Sequence, residues 1–246
     1  MRVKYVYVVI AGALAMFSIE AVRQRQESQY VKAIAAEVVQ KAGAEDNRSR
    51  VIALRDYLRA RVTFRGAVHD GRPFLRASAA DTLRSHNGYC GEVTRAFINL
   101  AAAIDIRAQR INLYGGDNHV VAEAELRPGE RVLVDSQNPP HVLDLEPLDE
   151  VILRPEYSDY SRLHLRRLHL NWLVSRVKFE MGPLTYWIEN PHALKSGLWL
   201  ALAMTLLAGN FLLMGDRSPA RRLLAGRGWT PVVEDRTLEV SPNEVG

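Results

Sequence analysis

The chain has 246 residues, 48% hydrophobic and 24% charged, with a formal net charge of +4. That length can bury one full core with appendages, and the small positive excess, with no basic run interleaved with aromatics, argues against nucleic acid as a partner. A single cysteine, Cys90, excludes an internal disulfide and zinc sites built from several cysteines.

After Met1-Arg2-Val3-Lys4, residues Tyr5 to Ile19 form an uncharged apolar run. It fits a signal-peptide core or a short membrane helix. Glu20, Arg23, Gln24 and Arg25 stand where a small-residue cleavage site would lie, so an uncleaved anchor over 1–20 is expected. The run is short for a hydrocarbon core of ~30 Å, which places Tyr5 and Tyr7 at the interface. Gln24 to Lys41 is polar and helical in character, and 21–44 reads as a stalk or as the first helix of the domain.

The domain is expected over 45–158. Val51, Leu54, Leu58 and Val62 recur at helical spacing within Asp46–Val62. Residues 63–77 carry Gly66, Gly71 and Pro73 and read as a loop, and Ser78 to Leu83 reads as a short capped helix. A longer helix starts at Cys90 and presents Val93, Phe97, Leu100, Ala101 and Ile104 on one face. Three strands follow, Ile106–Tyr114, Asn118–Leu126 and Arg131–Asp135, with the turn Arg127-Pro128-Gly129-Glu130 between the last two. The predicted class is α+β, with the cysteine helix against an antiparallel sheet.

Beyond the domain, Arg162 to Lys178 mixes arginines with leucines, Trp172 and Val177. This juxtamembrane segment, 159–195, fits either a helix packed on the domain or one lying on a membrane surface. A second uncharged run, Gly197 to Met214, predicts a membrane helix over 196–215 and leaves a tail over 216–246. Arg2 and Lys4 precede the first span; Arg217, Arg221, Arg222 and Arg227 follow the second. The positive-inside rule then puts both termini in the cytoplasm and the domain outside an inner, cytoplasmic membrane.

The stretch Asn87-Gly88-Tyr89-Cys90-Gly91-Glu92 carries the chemistry. A thiolate is the reactive form of cysteine, and a helix N-terminus favours an anion through its partial charge and unpaired N–H groups. The flanking glycines permit a sharp turn and close approach of a substrate, and a backbone N–H at the nucleophile helps to hold an oxyanion. Glu92 fits a cap of the same helix. A cysteine nucleophile needs a base and the base an orienting group. His119 early in the second strand and Asp135 at the end of the third supply them. Pairing Glu125 with Arg131 places Asp135 opposite Val121, diagonal to His119 on one sheet face, and a one-residue slip separates them. His69, His86, His141, His164, His169 and His192 show no metal-ligand spacing, so no metal or other cofactor is expected.

Gly88-Tyr89-Cys90-Gly91-Glu92, the helix after it, Ile104-Asp105-Ile106-Arg107-Ala108, Asn118-His119 and Val132-Leu133-Val134-Asp135 together resemble the transglutaminase-like superfamily, over roughly 45–137. The second segment is similar to that family's Gly-Ile-x-Ala-Arg turn. The resemblance implies a papain-like cysteine enzyme with Cys90 as nucleophile, His119 as general base and acid, and Asp135 as its orienter. Val121 stands where the family often has an aromatic, and Ser136-Gln137 where it often has Pro-Thr. Asn87 and Tyr89 are the nearest candidates for a further oxyanion or substrate contact.

The expected function is a membrane-anchored cysteine enzyme that opens amide bonds through a thioester, as protease, amidase or transamidase. Its substrate would be a peptide or protein of the cell envelope, or a secreted protein. Membrane lipid and a membrane-protein partner are expected contacts. The alternative is a non-catalytic scaffold or accessory protein of an envelope polysaccharide or secretion system.

Overall fold

The computed structural model describes residues 2–65, 77–113, 119–157 and 184–215. The tail over 216–246 and the arginine-leucine segment Arg162–Lys178 lie outside the described residues, as does most of the glycine-containing loop after Thr63.

Helix α1 runs unbroken from Arg2 to Ala42, 41 residues. At ~1.5 Å per residue it is about 60 Å long, twice a membrane's apolar thickness. Its second half is not a free stalk. Val31 and Ala35 are buried in the domain core, with Tyr30, Ile34, Val38 and Val39 packed around them. The stalk expectation is corrected here: a narrow apolar stripe one helical repeat wide is enough to dock a helix whose other faces are polar.

Helices α2 (Asn47–Arg61) and α3 (Ala79–Ser85) follow. Asp46 caps α2 by accepting from the Ser49 N–H at 2.9 Å. Ser78 and Asp81 form a reciprocal capping box on α3, each side chain accepting from the other's backbone N–H at 3.1 Å. Helix α4 spans Cys90–Ala102 and so stops two residues short of the expected Ile104. Asp105, at φ 63°, takes the chain off that helix in the left-handed region.

Strands β1 (Ala108–Leu113), β2 (His119–Arg127) and β3 (Glu130–Val134) form one antiparallel sheet in the order β1-β2-β3. The β2–β3 register pairs Glu125 with Arg131 and Ala122 with Val134, as the sequence pattern requires. The connection is tighter than expected. Arg127 pairs with Glu130, leaving only Pro128-Gly129 at the tip, and a bulge between Glu125 and Arg127 absorbs the difference. Gly129 has φ 84°, a conformation glycine adopts without the Cβ penalty.

Strand alternation divides the sheet. Ala122, Ala124, Leu126, Val132 and Val134 join the main core with Val51, Leu54, Leu58, Phe97 and Leu100. Leu113, Val121 and Leu133 join a second cluster with Val142, Leu148 and Val151. The latter two belong to α5 (Leu148–Ile152), and a short 3₁₀ turn, Pro155–Tyr157, follows. The architecture is α+β: helices and a small antiparallel sheet.

The chain returns through α6 (Leu184–Glu189) and α7 (Pro191–Gly215). The last residues of the expected juxtamembrane segment therefore already belong to helices, and α7 begins before residue 196. Helices α1 and α7 pack antiparallel: Asn210 Nδ2 donates to the Tyr7 hydroxyl, Ile10 and Ala13 meet Ala203, and Gln24 meets the start of α7. Two stretches within these helices, Tyr5–Ala42 and Pro191–Phe211, are long and apolar enough to cross a membrane.

Candidate active site

Three elements converge on Cys90. The residue opens α4, at the end of a helix where backbone N–H groups favour an anion. Glu92 receives the Tyr89 N–H at 2.9 Å, the capping role its position suggests. Gly88 packs closely: a Cβ there would sit 3.2 Å from both Glu92 Cβ and Thr82 Cγ2. Thr94 fastens α4 to the strand bearing His119 by donating its hydroxyl to Val120 O at 2.8 Å.

His119 is the first residue of β2 and lies one strand repeat from the position opposite Asp135, the residue after β3. Both are buried, and His119 Nε2 lies 3.0 Å from Asp135 Oδ2. The Cys90 thiol lies close enough to this ring for each to shift the other's titration. Cys90, His119 and Asp135 are thus gathered at one place, with the His119–Asp135 hydrogen bond as their link.

Asp135 is held on every side. Its Oδ2 accepts the backbone N–H groups of His141 at 2.7 Å and Val142 at 3.2 Å, and its Oδ1 accepts that of Gln137 at 3.1 Å. Burial alone would raise the carboxyl's pKa, but the His119 hydrogen bond and charge, with the His141 and Gln137 N–H groups, hold it below its ordinary value. Burial likewise opposes the imidazolium, yet hydrogen bonds to Asp135 and Cys90 and their charges push His119 up to about 9. For Cys90, burial raises the thiol, while the His119 hydrogen bond and charge and the N–H groups of Val120 and Gly91 bring it below its ordinary value. All three shifts run toward the charged forms, thiolate, imidazolium and carboxylate.

The other two sequence candidates are placed differently. Asn87 donates its side-chain amide to Ser85 O at 3.0 Å, closing the turn before α4. Tyr89 is exposed beside the cysteine, its ring edge-on to Phe64 at 5.3 Å.

Sequence reasoning missed several supporting residues. Arg59 on α2 donates to the Asp135 carbonyl from Nε at 3.0 Å and Nη2 at 2.6 Å, and ion-pairs with Asp144 at 3.0 Å. His141 stacks on His119 with centroids 4.8 Å apart, the rings inclined by 26°. The prolines after Asp135 were the available signal, because a sharp return of the chain is what brings the N–H groups of residues 141 and 142 back to the carboxylate. Ser136 and Gln137, in place of the family's Pro-Thr, are both buried. Val121, in place of an aromatic, is fully buried in the second cluster.

Residues 32–136 match the family model described as the transglutaminase-like superfamily. That stretch is transglutaminase-like. It takes in the docked half of α1 and ends one residue after Asp135. Among solved structures, a "Putative Cysteine Protease" from Cytophaga hutchinsonii is 24% identical, with a TM-score of 0.38, over 50% of this chain and 40% of that one. The chain thus spans less than half of that structure's length. No curated protein matches the chain.

Proposed function

We propose that the protein is a membrane-anchored cysteine enzyme that cleaves or exchanges an amide bond through a thioester. The observation that carries this reading is the buried His119–Asp135 hydrogen bond set beside Cys90 at the start of α4.

The Cys90 thiolate attacks the carbonyl carbon, and the developing oxyanion is met by N–H groups at the start of α4. The C–N bond breaks as the His119 imidazolium gives its proton to the leaving amine. His119, now neutral, takes a proton from water or from an amine that attacks the thioester. The C–S bond breaks, and the acid or a new amide leaves with Cys90 restored. Asp135 keeps the imidazole in one tautomer and orientation throughout. Tyr89, the residue before Cys90, forms an exposed aromatic pair with Phe64 that suits an extended peptide or protein substrate.

Anchoring rests on the exposed apolar surface of the paired helices. Only 17% and 11% of their most apolar windows are buried within the chain. At about 25 cal/mol per Å² that much apolar surface is costly in water and favourable in lipid. The antiparallel pairing sets the start of α1 and the end of α7 on one side. The flanking arginines make that side the cytoplasm, so the substrate belongs to the cell envelope.

The deciding experiment traps an acyl-enzyme from native envelope and locates it by mass spectrometry. A hydroxylamine-labile adduct on Cys90 is expected, absent from Cys90→Ala. No adduct, together with full cellular function of Cys90→Ala, rejects catalysis. A reporter fused after Gly246 is expected to behave as cytoplasmic and one near Glu150 as extracytoplasmic, and the opposite result moves the substrate inside the cell.

A further inference from the structure

Glu189 ends α6, well beyond the transglutaminase-like stretch, yet its side chain is only 1% exposed. Arg110 of β1 grips it with a two-pronged contact, Nε to Oε1 at 2.5 Å and Nη2 to Oε2 at 2.6 Å. Arg95 of α4, also buried, adds Nε to Oε2 at 3.2 Å. The Glu189 carbonyl accepts from Asn99 Nδ2 at 3.2 Å.

These contacts lead to the cysteine. Arg110 Nη2 also donates to Gly91 O at 2.8 Å, and a Cβ on Gly91 would lie 3.2 Å from Arg110 Nη1. Gly91 follows Cys90, and its N–H is one of the groups that favour the thiolate. Arg95 Nη1 donates to Ala77 O at 2.8 Å, just before the α3 cap. A buried carboxylate costs several kcal/mol of desolvation and is a weak device for stability alone. Its planar, bidentate match to a guanidinium is a strong device for fixing geometry. Glu189 is itself placed by the paired helices: Gln24 of α1 donates to the adjacent Asn190 at 2.9 Å and accepts the Ala193 N–H at 3.1 Å.

We infer that Glu189 is a positioning residue for the Cys90 nucleophile, acting through Arg110 on the Gly91 carbonyl. The inference rests on Cys90 being the nucleophile. It means that the site is completed by a segment outside the catalytic core, at the root of the helix pair.

The sign of one effect separates positioning from plain charge. Neutralising Glu189 removes a negative charge from the neighbourhood of the thiolate and by charge alone eases its formation. Loss of positioning frees Arg110 and Gly91 and makes the thiolate harder to form. The test follows alkylation of Cys90 by neutral iodoacetamide from pH 5 to 9, by intact mass, on the full chain in detergent. Glu189→Gln is expected to move the profile to higher pH and to slow alkylation at pH 6.5 by about tenfold, one unit of thiol pKa. Glu189→Asp, which keeps the charge on a shorter stem, is expected to recover part of the rate. Should Glu189→Gln lose its cooperative melt, Arg110→Lys decides, since it keeps a cation but lacks the fork, and the same upward shift is expected. A depressed wild-type profile that is unmoved, or moved downward, in the folded variant overturns the positioning role alone. A wild-type profile like that of an ordinary thiol overturns both this role and the nucleophile it depends on.

Discussion

Val8 and Val31 lie on one unbroken helix and meet opposite surroundings. Val8 is exposed, as are Leu198, Met204 and Phe211 on the partner helix, whereas Val31 is buried with Val51, Leu54, Phe97 and Leu100. The domain hides its apolar side chains and wires its polar ones together inside. The helix pair turns its apolar side chains outward and pairs polar ones, Gln24 with Asn190 and Glu20 with His192, where it meets the domain. The same residue types therefore meet two different surroundings, and the change occurs along α1 between Glu20 and Tyr30. Each prediction below asks whether a residue obeys the rule of its own region.

The largest effect is expected where the domain's polar wiring is densest. Asp135→Asn keeps the shape but turns an amide toward N–H groups of His141, Val142 or Gln137 and no longer fixes the His119 tautomer. General acid–base assistance contributes roughly 10²–10⁴-fold, so turnover of the trapped substrate should fall by about that factor, and Cys90 alkylation at pH 6.5 should slow with it. Retention of both rates would mean that the carboxylate is only a turn residue.

Next comes the domain's apolar centre. Phe97 is wholly buried among residues of four helices and the sheet. Phe97→Ala removes a ring and leaves a cavity, and about 3–5 kcal/mol of stability should be lost in denaturant titration. A loss below 1 kcal/mol would mean that the domain is not organised around this helix face.

The buried ion pair has a pH signature. His119 is raised to about 9, so its contribution is fully present below its ordinary value of 6.5 and is lost as pH rises through about 9. Cys90 is lowered from 9.0, so its contribution is present above 9.0 and is lost as pH falls through the lowered value. Between the lowered Cys90 value and 9 the two run in opposite directions. The wild-type melting temperature should therefore fall less steeply there than it would from His119 alone. Cys90→Ala removes the compensating half while Asp135 still raises His119, so its stability should decline as pH rises above 6.5. Parallel curves for the two proteins would count against the pair.

How much of this was legible in the sequence depended on range. The Cys90 helix was readable from local spacing. The β2–β3 register followed from strand parity and the Pro128-Gly129 turn, although the bulge at Leu126 left no mark. The sequence left the second half of α1 open between a stalk and the first helix of the domain, because Val31, Ala35 and Val38 form a thin stripe within a polar stretch. Arg59 and Glu189 were not legible at all. Each meets its partner across more than 70 positions, Arg59 with Asp135 and Glu189 with Arg110, and no period in the chain links such residues. The transglutaminase-like resemblance could name the residues that do chemistry. It had nothing to say about a carboxylate that lies outside the resembling stretch.

A smaller effect is expected at the end of α4. Asp105 occupies the left-handed region at φ 63°, where a side chain costs of order 1 kcal/mol and glycine costs nothing. It stands where the family's turn has glycine. Asp105→Gly should raise stability by up to about 1 kcal/mol, partly offset by the greater freedom glycine gives the unfolded chain. A loss instead would mean that the aspartate side chain stabilises the turn by more than its backbone strain costs.

The smallest effect is expected where the two regions differ most. Leu198 has 62% of its surface exposed on α7. In a domain core, Leu→Ala costs about 2–5 kcal/mol, largely through the cavity it leaves. On a helix face bathed in lipid or detergent, the surrounding chains fill the space and no cavity forms. Leu198→Ala should therefore stay within about 0.5 kcal/mol of wild type in detergent, the range of a surface change. A cost near that of Phe97→Ala would show that this face is covered by protein, and would replace lipid with a partner helix as the solvent of the pair.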